Sequence, residues 1–210
     1  MQHFISPNFT HEKLQPPLYR DVLDVFEDRM LNWLIAPSKK LLGMRHGSVA
    51  AVALATNYIE GIEIYVSGKD SEGKSKEYFR RGFRRIFSLV AGHDFIVNAL
   101  YSNLRCGFAH SGLPSSRITF SSLRKEAITI VWPRKCGQFE ASGQLEVAVI
   151  NPRRFVECIE IHFTEYMKEL RSRKESTAKE NFLSAVALKW RLGEAGPQIP
   201  MTEEQFKSGA

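Results

Sequence analysis

Cysteine is scarce in this chain: three in 210 residues, an odd number with no Cys-x2-Cys knuckle. That excludes a disulfide framework as the basis of the fold and removes the usual sequence mark of a structural zinc site. Two Cys-x3-His pairs, Cys106/His110 and Cys158/His162, have spacing that could join into a Cys2His2 site. Cys158 lies off the apolar stripe of its helix, so neither zinc nor another metal or cofactor is expected. No N-terminal stretch joins a basic region to an apolar one, and no segment has the uninterrupted apolar length of a membrane span. A soluble, cytoplasmic protein with no membrane contact is the expectation. A G-x-S-x-G elbow, a Walker loop, a dinucleotide glycine pattern and internal repeats are all missing, which sets hydrolase-elbow, P-loop and Rossmann chemistry aside.

What is present suffices for a core. Hydrophobic residues make up 43% of the chain and phenylalanine alone numbers 14, so no covalent staples are needed. The length suits one domain with an appendage. A net charge of +6 with a pI near 9.3 favours an anionic partner, though only weakly, because net charge governs association rather than fold.

Periodicity divides the chain. Residues 1–16 have no sustained period and read as an N-terminal arm. From Pro17 to Ile35, Leu18, Val22, Val25, Phe26, Leu31 and Leu34 recur at helical spacing, with Pro37 as the stop. Ser48 to Val66 is apolar on nearly every side and belongs in the middle of a bundle. Within it Asn57, Glu60 and Glu63 demand partners, since buried carboxylates are rare unless paired. After a loop at 68–75, a third helix from Lys76 to Val90 carries Phe79, Phe83, Ile86, Phe87 and Val90 on one face. Arg80, Arg81, Arg84 and Arg85 lie on the other, a cluster that suits a phosphate backbone or a solvated outer face. A fourth helix spans Asp94 to Ser111 and ends at Gly112 and Pro114.

The period then alternates. Arg117–Phe120, Ala127–Trp132 and Leu145–Ile150 predict a small antiparallel sheet inserted at about 117–150, its first two strands joined by a short polar turn. Asn151-Pro152 supplies an N-cap and a first-turn proline. The helix that follows runs to about Arg173, with Phe155, Ile159, Phe163, Tyr166 and Leu170 as its inner stripe. Residues 17–173 thus form the main bundle, and 174–210 a final helix (Asn181 to Leu192) and tail. The fold class is mainly α, a helical bundle with a minor β insert.

The fourth helix holds the one segment rich in chemistry, Arg105-Cys-Gly-Phe-Ala-His110. On an ideal wheel Ile96, Val97, Leu100, Leu104 and Phe108 share one side, while Asn98, Ser102, Asn103, Arg105, Cys106 and His110 share the other. Such small polar groups build a site or tile a helix contact. Arg105 is a permanent, planar cation that fits phosphate oxygens. His110 has the only type of side chain that ordinarily titrates near neutrality, and it sits at a helix end where partial negative charge favours a cation. At ideal α-helical pitch the two leave the axis roughly 140° apart. Glu60 orients one of them if the two central helices touch, or forms a purely structural ion pair.

These residues resemble the HEPN superfamily (higher eukaryotes and prokaryotes nucleotide-binding domains). The signature is an arginine followed, after four to six residues, by a histidine late in a bundle. Arg105 and His110 fit it with a four-residue gap, flanked by Tyr101-Ser-Asn-Leu and Ser111-Gly112. The apolar helix ending in Tyr58-Ile-Glu60-Gly, the Gly-containing loop and the Phe-rich basic helix are also similar, so the resemblance covers about Leu18 to Arg173. It implies an antiparallel helical bundle that dimerises to bring two motifs to one cleft, and a metal-independent endoribonuclease of toxin or phage-defence type. RNA or a nucleotide is then the ligand, a second copy of the chain and an antitoxin-type protein are partners, and Arg105 and His110 are the catalytic pair. Members usually carry Asn, Asp or His directly after the arginine, whereas Cys106 stands there, and a thiol is a poor hydrogen-bond donor. The alternative expectation is therefore a catalytically inactive member that binds a nucleotide or a protein.

Overall fold

The computed structural model describes residues 4–87, 94–131, 134–135, 138–139 and 146–190. Expectations that fall on Val90, Trp132, Leu145 and the tail beyond residue 190 lie outside them. The architecture is mainly helical with small sheets.

Helix α1 (Tyr19–Arg29) buries Val22, Leu23, Val25 and Phe26. The helix does not stop at Pro37. It widens into a π turn over Met30–Ile35 and continues as α2 (Ala36–Leu42). Proline normally breaks a helix because it lacks an N–H and its ring meets the carbonyl four residues back. Here the preceding turn is closed by five-residue bonds, with Ala36 N–H reaching the Leu31 carbonyl, and Pro37 enters at the start of the next α segment, where proline is tolerated.

The central helix α3 (Ser48–Ser67) packs against α2, α4 (Ser75–Ile86), α6 (Pro152–Arg171) and α7 (Thr177–Trp190). By length and composition alone α3 is apolar enough to cross a membrane; in this fold its neighbours are other helices. Its backbone comes closest to α4 at Gly82, where an added Cβ would lie 1.9 Å from the Ile59 carbonyl oxygen. Only glycine allows that approach. The core converges on Phe26, whose ring meets Tyr65 of α3 at 4.5 Å, Phe182 of α7 at 5.0 Å and Phe163 of α6 at 5.9 Å. All five residues expected on the inner stripe of α6 are buried, and Asn151 caps it by accepting from Arg154 N–H.

Two expectations need correction. The N-terminal segment is a docked hairpin rather than an arm: β1 (Phe4–Ser6) pairs with β2 (Phe9–Thr10). Asp28 accepts from the Asn8 backbone and side chain at 2.8 and 2.6 Å, Arg29 donates to the Ile5 carbonyl at 2.7 Å, and Ile5 is buried. A segment this short shows no period, and its anchors lie more than a helix turn away in sequence. The insert is also a mixed sheet rather than an antiparallel one. β3 (Ile118–Phe120) and β4 (Ile128–Val131) do not pair with each other; β7 (Val147–Ile150) runs between them, parallel to β3 and antiparallel to β4. The central place goes to the strand that buries Ala148 and Ile150 completely. A short hairpin of β5 (Arg134–Lys135) and β6 (Gln138–Phe139) lies between β4 and β7.

Helix α5 (Asp94–Leu100) opens the motif helix and buries Ile96, Val97 and Leu100. Helix α7 belongs to the same core: Phe182 is fully buried, Asn181 donates to the Val66 carbonyl at 2.8 Å, and Trp190 donates to the Tyr65 hydroxyl at 3.1 Å.

Helices α3 and α6 are further joined by the Tyr58 hydroxyl, 2.9 Å from His162 Nδ1. Burial, helped by the nearby Arg85 cation, pulls the His162 imidazole from 6.5 down to about 4. Between those values the unfolded chain binds a proton that the folded one refuses. Stability is therefore intact above about pH 6.5 and is lost as pH falls towards 4, by at most about 3 kcal/mol and less after solvent screening of a half-buried ring. Urea unfolding across that range should show the loss, and His162→Gln should flatten it. Gly82→Ala should lower stability by about 3 kcal/mol at any pH, because α3 and α4 must separate; an unchanged urea midpoint would show that the contact yields freely.

Candidate functional site

The site begins with a carboxylate. Glu60 sits on α3 where burial by α4 and the motif helix leaves it little water, and its Oε2 accepts from Arg105 Nη2 at 2.9 Å and from the Ser75 hydroxyl at 2.7 Å. Ser75 is the first residue of α4, and its hydroxyl in turn accepts from the Tyr101 hydroxyl at 3.2 Å. Tyr101 lies one helical turn before Arg105, with the guanidinium carbon 5.8 Å from its ring centre. Three helices thus hold one guanidinium. Beside it opens a cavity of about 220 Å³ lined by Thr56, Asn57, Glu60, Gly61, Ile64 and Arg105. Asn57 faces solvent and donates back to the Ala53 and Leu54 carbonyls of its own helix.

Helix geometry changes within the motif. Tyr101–Arg105 and Gly107–Ser111 are both π turns, and Cys106 N–H bonds the Tyr101 carbonyl five residues back. A helix closed this way turns less per residue than an α-helix, so residues five apart are separated by less than at ideal α-helical pitch. The ideal-helix wheel therefore does not describe the stretch from Arg105 to His110. His110 is exposed, and no described residue hydrogen-bonds or pairs with it. Glu60 reaches Arg105, not His110. Gly107 permits the end of the motif to fold back, since a Cβ there would meet the Leu113 carbonyl at 2.8 Å.

The rest of the polar arc divides. Asn103 is a structural residue: it donates to the Ala99 carbonyl at 2.7 Å, accepts from the Ser115 hydroxyl at 2.7 Å, and its carbonyl takes the Ser115 N–H. Asn98 turns its side-chain oxygen inward, where no described donor meets it. Ser102 is exposed and Cys106 is half-buried with a free thiol. Among the described residues no three His, Cys, Asp or Glu side chains gather as a metal would need.

The four arginines of α4 form a row of ion pairs. Arg80 (2.7 Å) and Arg84 both meet Asp94 at the start of the motif helix, and Arg81 meets Glu77 one turn earlier. Arg85 Nε donates at 2.6 Å to Glu63, a carboxylate only 1% exposed. Sequence reasoning found Glu60 and Arg105 but missed Ser75 and Tyr101. The four-residue spacing of Tyr101 and Arg105 was a legible signal; nothing local marks Ser75.

The chain matches no family model, and no curated protein or solved structure is similar to it.

Glu60→Gln and Arg105→Gln, made singly and together, measure how far the site depends on its ion pair. Both partners are largely shielded from water, so the double-mutant cycle should give a coupling of about 1–2 kcal/mol. A value near zero would mean that solvent already satisfies both groups.

Proposed function

We propose that this protein is a metal-independent endoribonuclease of the HEPN kind, using Arg105 and His110. The observation that carries the reading is the clamped guanidinium: Glu60 holds one terminal nitrogen of Arg105, five residues before the exposed His110 in the same helical stretch. Arg105 also lines a cavity of about 220 Å³. A cation fixed beforehand stabilises charge that develops on a phosphate without reorganising at the moment of reaction.

In this reading a ribose 2′-OH attacks the adjacent phosphate. The O2′–P bond forms, the P–O5′ bond breaks, and the products carry a 2′,3′-cyclic phosphate and a 5′-OH. An imidazole takes the 2′-OH proton or delivers one to O5′, and Arg105 stabilises the phosphorane. Because His110 is exposed, a second copy of the chain can bring its own motif to the same cleft and supply the other proton carrier. Arg80, Arg81 and Arg84 exchange their exposed carboxylates for RNA phosphates, whereas Arg85 stays turned to Glu63. An antitoxin-type protein would cover the same cleft.

A second reading, a silent member that binds a nucleotide without cutting, is favoured by Cys106. Its thiol stands where an amide or imidazole would complete the site, and neither Asn98 nor Asn103 is turned to replace it.

Purified protein should cut single-stranded RNA in EDTA and leave cyclic-phosphate ends. His110→Ala should lose at least about 100-fold in rate, with unchanged circular dichroism because the side chain is exposed. Arg105→Gln combined with Glu60→Gln should lose as much without stranding a carboxylate. Absence of cleavage, with mononucleotides binding by calorimetry and activity gained in Cys106→Asn, would assign the silent reading instead.

A further inference from the structure

A second constellation lies away from Arg105, where α4, α6 and α7 meet the end of α3. We propose that this cleft binds a small zwitterion, a free amino acid or a close equivalent, with its carboxylate on Arg85, His162 and Tyr166 and its ammonium on Glu169. The proposal does not depend on RNA cleavage.

The cleft has a volume of about 500 Å³ and is lined by Arg85, His162, Glu165, Tyr166, Glu169 and Asn181 among others. Three of these side chains, Arg85, His162 and Tyr166, carry hydrogen-bond donors. Arg85 commits its Nε to Glu63 and keeps both terminal nitrogens free of hydrogen bonds to described residues. His162 is neutral near pH 7, since burial and Arg85 depress it. Tyr58 stays protonated, because burial pushes its hydroxyl well above the tyrosine range, and its proton has no described acceptor other than His162 Nδ1. The imidazole proton therefore sits on Nε2, which is left as a donor. Tyr166 is only 5% exposed and lines the cleft, yet its hydroxyl is buried without a hydrogen-bond partner among the described residues. An unsatisfied buried hydroxyl beside a cavity is uncommon, because leaving it unmade is costly.

Charge decides the kind of ligand. Glu63 offsets Arg85, and Lys168 pairs with Glu165 at 2.6 Å. Glu169 has no ion pair among the described residues, so the lining carries an excess negative charge. A bare anion would meet that excess, and a bare cation would leave three donors unanswered. A molecule with both signs a few ångströms apart satisfies both, and Val66 and Ala178 offer an apolar wall for the remainder of the ligand.

The test uses the full chain and the free L-amino acids, each added singly, with the matching deaminated acids and decarboxylated amines as controls. At least one amino acid should raise the melting temperature in a concentration-dependent way, and its acid and amine should not. Glu169→Gln, an exposed change that leaves the fold alone, should weaken calorimetric affinity at least about tenfold. Tyr166→Phe should keep or raise the stability of the free protein, since it removes an unsatisfied hydroxyl, while also weakening the ligand. If no amino acid binds, if an acid or an amine alone binds as well, or if both variants bind like wild type, the proposal is overturned.

Discussion

Two carboxylates on an apolar helix constrain how the helices that carry Arg85 and Arg105 must sit. Glu60 and Glu63 lie three residues apart on α3, the segment least suited to carry charge. Burying an ionised carboxylate without a partner costs several kcal/mol, more than most single contacts can offset. The chain answers each with its own arginine from a different helix: Arg105 for Glu60 and Arg85 for Glu63. Once those pairs are required, the rotation of α4 and of the motif helix about α3 is nearly determined. The contact at Gly82 then sets how deeply the carboxylates lie.

Much of this was legible in the residues. The apolar α3, the stripe of α6 and the Asn151-Pro152 start are local signals, and local signals survive into the structure. The need for partners at Glu60 and Glu63 was legible too, but their identity was not, because Arg85 and Arg105 lie on other helices and sequence spacing says nothing about which faces meet. The π turns escaped for a different reason. A wheel drawn at 3.6 residues per turn assumes the pitch it is meant to test, and Pro37 reads as a stop because proline ordinarily breaks a helix. The sheet order escaped because β3 and β4, neighbours in the chain, yield to β7, which has the more deeply buried side chains.

One helix borders both clefts. Over six residues α3 presents Tyr58 to His162, Glu60 to Arg105 and Glu63 to Arg85. The surroundings of Arg105 and of His162 are thus both anchored to α3. Placing the guanidinium through a carboxylate, rather than leaving it on a long flexible stem, also spares the site the rotamer entropy of ordering it when a ligand arrives.

The position of α3 in the chain has a bearing on how the protein is made. Its lining comes from both directions: Phe26 precedes it, while Phe163 and Phe182 follow late, and the Trp190–Tyr65 bond closes a separation of 125 residues. A ribosome therefore delivers the most apolar helix long before its final neighbours exist. Contacts of such high sequence separation form slowly, and until α7 docks, the nascent chain exposes a greasy cylinder that chaperones, other chains or a bilayer can compete for.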